Sequence, residues 1–271
     1  MALPHDVKHG RFYSPSLGRE MGLTVLVPAG YAPLASHRYP VLYLLPGGSS
    51  SHREWSDRMP LAQMLAPHPM LVVMPEGENS LYVNGHSGEC FEDYVIEDLP
   101  RFIESEFRVE KRRGARALAG LSMGGFAAFN LGLTHLDRYA VLASLSAAFG
   151  MTWWNMGKRE DLPFHRALGP VGSETRAAYD PWRILERTIA QNRPSDLPAM
   201  RIAVGTEDDP EVVLANQNYH RSLLGGSVAH LYKESPGGHD WGYWTRETPE
   251  LLAFVAEQLS LESQRPNDRR S

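Results

Sequence analysis

The chain's most chemically suggestive stretch is Gly120-Leu121-Ser122-Met123-Gly124-Gly125. A Gly-x-Ser-x-Gly pattern serves nucleophilic chemistry when a strand runs into it and a helix leaves it. The sharp turn then holds the hydroxyl clear of the sheet. Here an apolar run, residues 115–121, precedes the serine, and a stretch of small apolar residues, 126–133, follows it. Gly120 and Gly124 lack the Cβ atoms that would clash in so tight a turn. A helix starting at Gly124 also points the positive end of its dipole at the reacting centre. The plainer reading is an ordinary Gly-rich strand-to-helix turn; the strand and helix on either side favour the elbow.

A serine hydroxyl is a weak nucleophile until a base accepts its proton. In hydrolases built on such an elbow the partners follow in the order serine, acid, histidine. Among the C-terminal histidines, His220 sits in a helical pattern and His230 in a strand-like run, residues 228–232. Only His239 falls in a loop just after a strand, where Pro236, Gly237 and Gly238 turn the chain. The acid should end the preceding strand, and there Glu207, Asp208 and Asp209 stand together. Local sequence leaves all three open, although Asp209 before Pro210 also suits a helix N-cap. An oxyanion hole needs two backbone N–H groups. Met123 supplies one, and the loop Leu45-Pro46-Gly47-Gly48-Ser49 after an early strand should supply the other.

These residues need a sheet to carry them to one edge. Apolar runs occupy residues 41–45, 70–74, 115–121, 139–145, 202–205 and 228–232, and they do not alternate with polar residues. Runs apolar on both faces are what a parallel sheet covered by helices requires. Between them, Tyr94, Val95, Leu99, Phe102, Ile103 and Phe107 recur at helical spacing, with Pro100 as an expected kink. Residues 242–259 read as a closing helix, and residues 11–28 as an antiparallel hairpin at one sheet edge. The pattern predicts an α/β fold, a doubly wound and mostly parallel sheet with helices on both faces. Residues 1–260 read as one domain and 261–271 as a disordered tail. Residues 147–183 interrupt the rhythm, and an insertion at that strand end predicts a short cap over Ser122.

Composition narrows the function classes. With 271 residues, 42% of them hydrophobic, the chain has ample material for a large core. Its net charge of −5 argues against a partner bound by phosphate neutralisation, so no nucleic acid is expected. One cysteine, Cys90, excludes an internal disulfide and a multi-thiolate metal site. No apolar run approaches the ~20 residues of a membrane helix. The first 14 residues hold no apolar core either, so the expected setting is cytoplasmic. His52, His86 and Glu89 lack ligand spacing, so no metal is assigned, and no cofactor is implied.

At GLSMGG, LLPGGSS with Trp55 beyond it, MPEGENSLYVN, GTEDD and GGHDW, the chain resembles the esterase D family of α/β hydrolases. That family includes S-formylglutathione hydrolases, tributyrin-type esterases, feruloyl and acetylxylan esterases, and mycolyltransferases. The resemblance runs from about residue 14 to about residue 259. It implies the α/β-hydrolase fold, with Ser122 as nucleophile, Asp208 as acid and His239 as base. Gly48 and Met123 then match the oxyanion donors. Pro46 replaces a histidine of many members, but the donor lies two residues later. Ser50 stands where S-formylglutathione hydrolases carry a cysteine, which favours a general serine carboxylesterase. The expected substrate is a small-molecule ester of short acyl chain. Trp55, Tyr82, Trp153, Trp154 and Trp241 are expected to line its pocket. The alternatives are a thioesterase or acyltransferase of the same family, or a catalytically silent binding protein of this fold. Three filled triad positions argue against the last.

Overall fold

Strands apolar on both faces need cover on both sides, and that requirement organises the chain. The computed structural model describes residues 4–34, 36–153 and 163–264. Among them lie strands β1 (Asp6–Ser14), β2 (Arg19–Val27), β3 (Val41–Leu45), β4 (Leu71–Pro75) and β5 (Arg116–Leu121). β6 (Val141–Leu145), β7 (Ala199–Gly205) and β8 (Leu231–Ser235) complete one sheet, in the order β1-β2-β4-β3-β5-β6-β7-β8. Every pairing from β4 through β8 is parallel. The β1–β2 hairpin is antiparallel and joins the edge of β4 in the same sense.

Helices α1 (Glu54–Arg58) and α2 (Leu61–Met64) follow β3, while α3 (Phe91–Asp93) and α4 (Leu99–Glu106) follow β4. α5 (Met123–Thr134) follows β5. After β6 come α6 (Pro163–Leu168), α7 (Glu174–Ala178) and α8 (Pro181–Gln191). α9 (Pro210–Gly225) and α10 (Trp241–Gln264) follow β7 and β8. Alternate strand residues feed two cores. On one face Tyr43, Val73, Leu118 and Leu142 meet Phe126 and Phe129 of α5, Leu185 of α8 and Tyr219 of α9. On the other, Leu42, Leu44, Ala119 and Val141 meet Trp55 of α1 and Leu251, Leu252 and Val255 of α10. Each such fully buried Leu, Val or Phe contributes roughly 1.5–3 kcal/mol. This is the α/β-hydrolase fold.

Two boundaries differ from the sequence reading. His230 precedes β8 instead of lying in a strand, because Ser227 turns the chain with a φ of 54° and pairing with β7 begins at Leu231. Pro100 lies inside one unbroken helical run, 91–106, and the π-helical turn Tyr94–Asp98 just before it is the local distortion expected of the proline. α10 runs through residues 261–264, where a disordered tail was expected; Leu259 is buried and Arg112 donates to the Glu262 carbonyl at 3.4 Å. The rest of that tail, 265–271, lies outside the described residues, as does Trp154.

The insertion after β6 is tied to the loop that leads into α3. His86 and Ser87 donate backbone N–H groups to Ala167 and Arg166 carbonyls at 2.8 and 3.1 Å. The buried Arg176 guanidinium donates to the carbonyls of Gly169 and Thr152 at 2.9 and 3.0 Å. The Tyr179 hydroxyl accepts from Asn84 N at 2.9 Å and donates to the Glu92 carboxylate, which His135 also meets at 2.6 Å. Burial pushes the Glu92 carboxyl upward, but its bonds with His135 and Tyr179 outweigh this and hold it below its ordinary 4.5.

Two stability tests follow from these contacts. A Cβ on Gly124 would run into the Leu45 carbonyl and lie 2.7 Å from the Pro46 oxygen, both backbone atoms. Gly124→Ala should therefore cost about 1–3 kcal/mol or more in urea unfolding. Gly225, with nothing within 4 Å, should tolerate alanine or gain about 0.4–1 kcal/mol. For Glu92→Gln, the loss relative to wild type should be about 1–3 kcal/mol at neutral pH. A depressed carboxylate stabilises above its unfolded pKa, so the difference should shrink as pH falls below 4.5 through the lower folded value. A pH-independent difference in unfolding midpoints would contradict the clasp.

Candidate active site

β5 ends at Leu121 and α5 begins at Met123, so Ser122 alone makes the reversal. Its backbone sits at φ 50° and ψ −116°, a region that costs a non-glycine residue roughly 1–3 kcal/mol. Neighbours hold it there: Ser122 N donates to Leu145 O at 2.9 Å, and its carbonyl accepts from Phe126 and Ala148, each at 3.0 Å. The helix begins one residue earlier than the sequence suggested. The Met123 N–H, at its first position, has no helical carbonyl to meet.

The loop after β8 brings His239 Nε2 to 2.9 Å from Ser122 Oγ. On the ring's other side Nδ1 lies 2.9 Å from Asp208 Oδ1. A carboxylate only accepts, so Nδ1 carries the proton and Nε2 is left to accept from the serine hydroxyl. The three carboxylates left open by the sequence have separate fates. Asp208, its side chain fully buried, faces His239. Asp209 caps α9, accepting from Glu211 N at 2.9 Å with Pro210 in the first turn. Glu207 points to solvent while its N–H bonds the Gly237 carbonyl at 2.9 Å.

Trp244, on α10, packs its ring edge-on to His239 with centroids 5.0 Å apart. Its indole N–H donates to Ser146 Oγ at 3.2 Å, just beyond β6. The half-buried Trp241 packs on Trp244, and Trp55 on Trp241. Trp55 and Tyr82, expected in the pocket lining, are fully buried and present no surface to a substrate. Trp55 belongs to the core beneath the site, and the Tyr82 hydroxyl donates to the Pro46 carbonyl at 3.3 Å. Trp153 is mostly exposed; its indole N–H bonds Asp180, the N-cap of α8, and its ring lies 4.8 Å from that of Trp182.

The loop after β3 runs beside Ser122, whose Cβ lies 3.6 Å from where a Gly47 side chain would begin, and Gly48 follows. Phe164 of α6 reaches it from the insertion, its Cζ 3.0 Å from where a Gly48 side chain would begin. Asn79, in the loop after β4, accepts from Ser49 N. Phe164, Asn79 and Trp244 went unread in the sequence. Trp244 carried a signal in its place in the first turn after His239, and Asn79 in its place within MPEGENSLYVN. Among the described residues no three His, Cys, Asp or Glu side chains are grouped to hold a metal. Nor is any helix there long and apolar enough to cross a membrane. A hydroxyl, an imidazole and a buried carboxylate in hydrogen-bonded sequence form a charge-compensated nucleophile suited to acyl transfer.

Comparison with known proteins bears on the same chemistry. A family model described as "Putative esterase" matches residues 14–255. An acetyl esterase of Caldicellulosiruptor saccharolyticus is 23% identical over 272 residues, covering 91% of this chain and 96% of that protein. Esterase Rv1288 of Mycobacterium tuberculosis is 28% identical over 84% of this chain, which spans only 54% of that protein. In structure, the fluorophosphonate-binding serine hydrolase FphF of Staphylococcus aureus superposes with a TM-score of 0.84 at 24% identity, covering 93% of this chain and 99% of that one. Feruloyl esterases, S-formylglutathione hydrolases and mycolyltransferases also match. With the strand order, the elbow and these matches in agreement, the chain belongs to the esterase family, has the α/β-hydrolase fold and is a carboxylic ester hydrolase.

Proposed function

We propose that Ser122 is the nucleophile of this esterase, with His239 as its base and Asp208 as the acid that fixes the imidazole. The observation that carries the reading is the unbroken line of two 2.9 Å hydrogen bonds from Ser122 Oγ through His239 to Asp208 Oδ1. Ser122 Oγ forms a bond to the ester carbonyl carbon as its proton passes to His239 Nε2. The Gly48 and Met123 N–H groups hold the oxyanion. The imidazolium then protonates the departing alcohol. Water, losing a proton to the same Nε2, attacks the acyl-enzyme and releases the acid.

The substrate is proposed to be a small-molecule ester of short acyl chain. Phe164 supports this, because a ring lying against Gly48 crowds the space beside the hole. We read residues 147–183 as a cap on this side, within a single domain built on one sheet. Trp153 and Trp241 remain proposed substrate contacts at the rim, since neither is fully buried. The lone free cysteine, Cys90, suits a reducing cytoplasmic setting.

Ser122→Ala should lower kcat roughly 10⁴–10⁶-fold with unchanged unfolding, and a fluorophosphonate should label wild type at this serine. Labelling elsewhere, or near-normal turnover by the variant, would sink the assignment. Asp208→Asn should cost about 10³–10⁴-fold in kcat by favouring the wrong tautomer. Asp209→Asn should leave kcat near wild type, and the reverse ranking would move the acid by one residue. Phe164→Ala, assayed on p-nitrophenyl esters of increasing chain length beside S-formylglutathione and feruloyl esters, should shift preference toward longer acyl groups. An unchanged profile would remove Phe164 from the pocket.

A further inference from the structure

Backbone strain is concentrated in the loop that leaves β4. Glu78, Asn79, Leu81 and Tyr82 have φ values of 48°, 58°, 56° and 55°. Left-handed backbone is unfavourable at non-glycine residues, so a run of it persists only where contacts over-determine it. Those contacts are present. Ser80 Oγ donates to Gly77 O at 2.6 Å and accepts from Tyr82 N at 3.0 Å, while Leu81 and Tyr82 are fully buried.

The contorted loop places two side chains at the two ends of the oxyanion segment. Tyr82 donates to the Pro46 carbonyl at 3.3 Å. Asn79 accepts from the Ser49 N–H, with the Ser49 hydroxyl 3.5 Å from the same oxygen. Gly47 and Gly48 lie between these ties. Two consecutive glycines have little conformational preference of their own, so the direction of their N–H groups must be set from outside. Ser49 is itself left-handed, at φ 57°, where the bond to Asn79 fixes it. A Cβ added to Gly77 would collide with the Tyr82 hydroxyl and lie 3.1 Å from Met123 Cε, so the backbone of this loop also runs close to the Met123 side chain.

We propose that Asn79 is a positioning residue: by holding Ser49 N–H, its carboxamide oxygen aims the neighbouring Gly48 N–H at the developing oxyanion. The proposal rests on Gly48 acting as a donor in the reading above. It requires an acceptor oxygen at position 79, not merely a left-handed residue. Asn79→Gly keeps the backbone conformation accessible and removes the acceptor; Asn79→Asp keeps both.

Removing an oxyanion donor outright costs about 10²–10³ in kcat, so disordering one through Asn79→Gly should cost about 10–100-fold. KM should stay within about threefold, because the interaction strengthens only in the transition state. Affinity for a trifluoromethyl ketone should fall by the same factor as kcat/KM, and Asn79→Asp should restore kcat to within about threefold of wild type. Wild-type kcat in Asn79→Gly, a rise in KM alone, or equal damage in Asn79→Asp would each overturn the proposal. A KM effect alone would place Asn79 among direct substrate contacts, in the cleft it lines with Ser87, Glu89 and Arg166. Fluorophosphonate labelling separates this from failure of the parent reading. That reading fails if wild type is labelled away from Ser122, whereas the Asn79 variants should be labelled at Ser122, only more slowly.

Discussion

The close approach of α5 to the end of β3 is the constraint on which the rest of the site depends. An added Cβ on Gly124 or Gly120 would meet the Leu45 carbonyl, so the two backbones already touch at van der Waals distance. That contact forces Ser122 into its left-handed turn and also delivers the loop after β3 to the serine's side. Ser122 and the proposed oxyanion loop are therefore neighbours for the same reason that side chains are forbidden at the elbow. The parallel pairing of Leu45 with Gly120 fixes the register of this approach. A slip of one residue would exchange the two core faces and lose the site together with the fold.

Parallel strands release their chains at one edge, and the site draws on six of those ends. β3 and β5 give the proposed oxyanion loop and the serine, β7 and β8 give Asp208 and His239, the proposed acid and base, and β4 gives the loop that supports Pro46 and Ser49. β6, between nucleophile and acid, contributes Ser146, which accepts from Trp244 beneath His239. His239 is thus held by a carboxylate from one strand end and an aromatic edge anchored to another. A ring fixed on two sides loses little freedom when it accepts a proton, which is the condition for an efficient general base.

Much of this was legible because the periodicities were unambiguous. Runs apolar on both faces specify a covered parallel sheet, and a glycine-flanked serine between strand and helix specifies an elbow. What was not legible were choices among chemically equal residues. Glu207, Asp208 and Asp209 share a charge, and their roles are separated by a turn in which Glu207 N bonds Gly237 O and Asp208 N bonds Gly205 O. Aromatic residues announced themselves by type but not by side, so Trp55 and Tyr82 read as pocket residues when both are core. Phe164 gave no signal, and Asn79 stood inside the stretch MPEGENSLYVN with no role attached, because each acts on a loop that is distant in sequence.

Secondary structure does not stiffen the rim of the site; side chains and a single loop system do. Residues 77–92 tie down Pro46 and Ser49 at one end, and at the other receive the insertion through His86, Ser87, Asn84 and Glu92. The oxyanion segment and the insertion, separated by about a hundred residues of chain, therefore rest on the same foundation. Phe164 closes the circuit by leaning from the insertion onto Gly48. A shift of the insertion reaches the hole by two routes, directly through that ring and indirectly through the strained loop. Left-handed residues held by buried neighbours resist small displacements, since every alternative conformation breaks several contacts at once. The strained loop beside Pro46 and Ser49 accordingly holds both ends of the Gly47-Gly48 pair, the constraint that the proposed oxyanion donor needs.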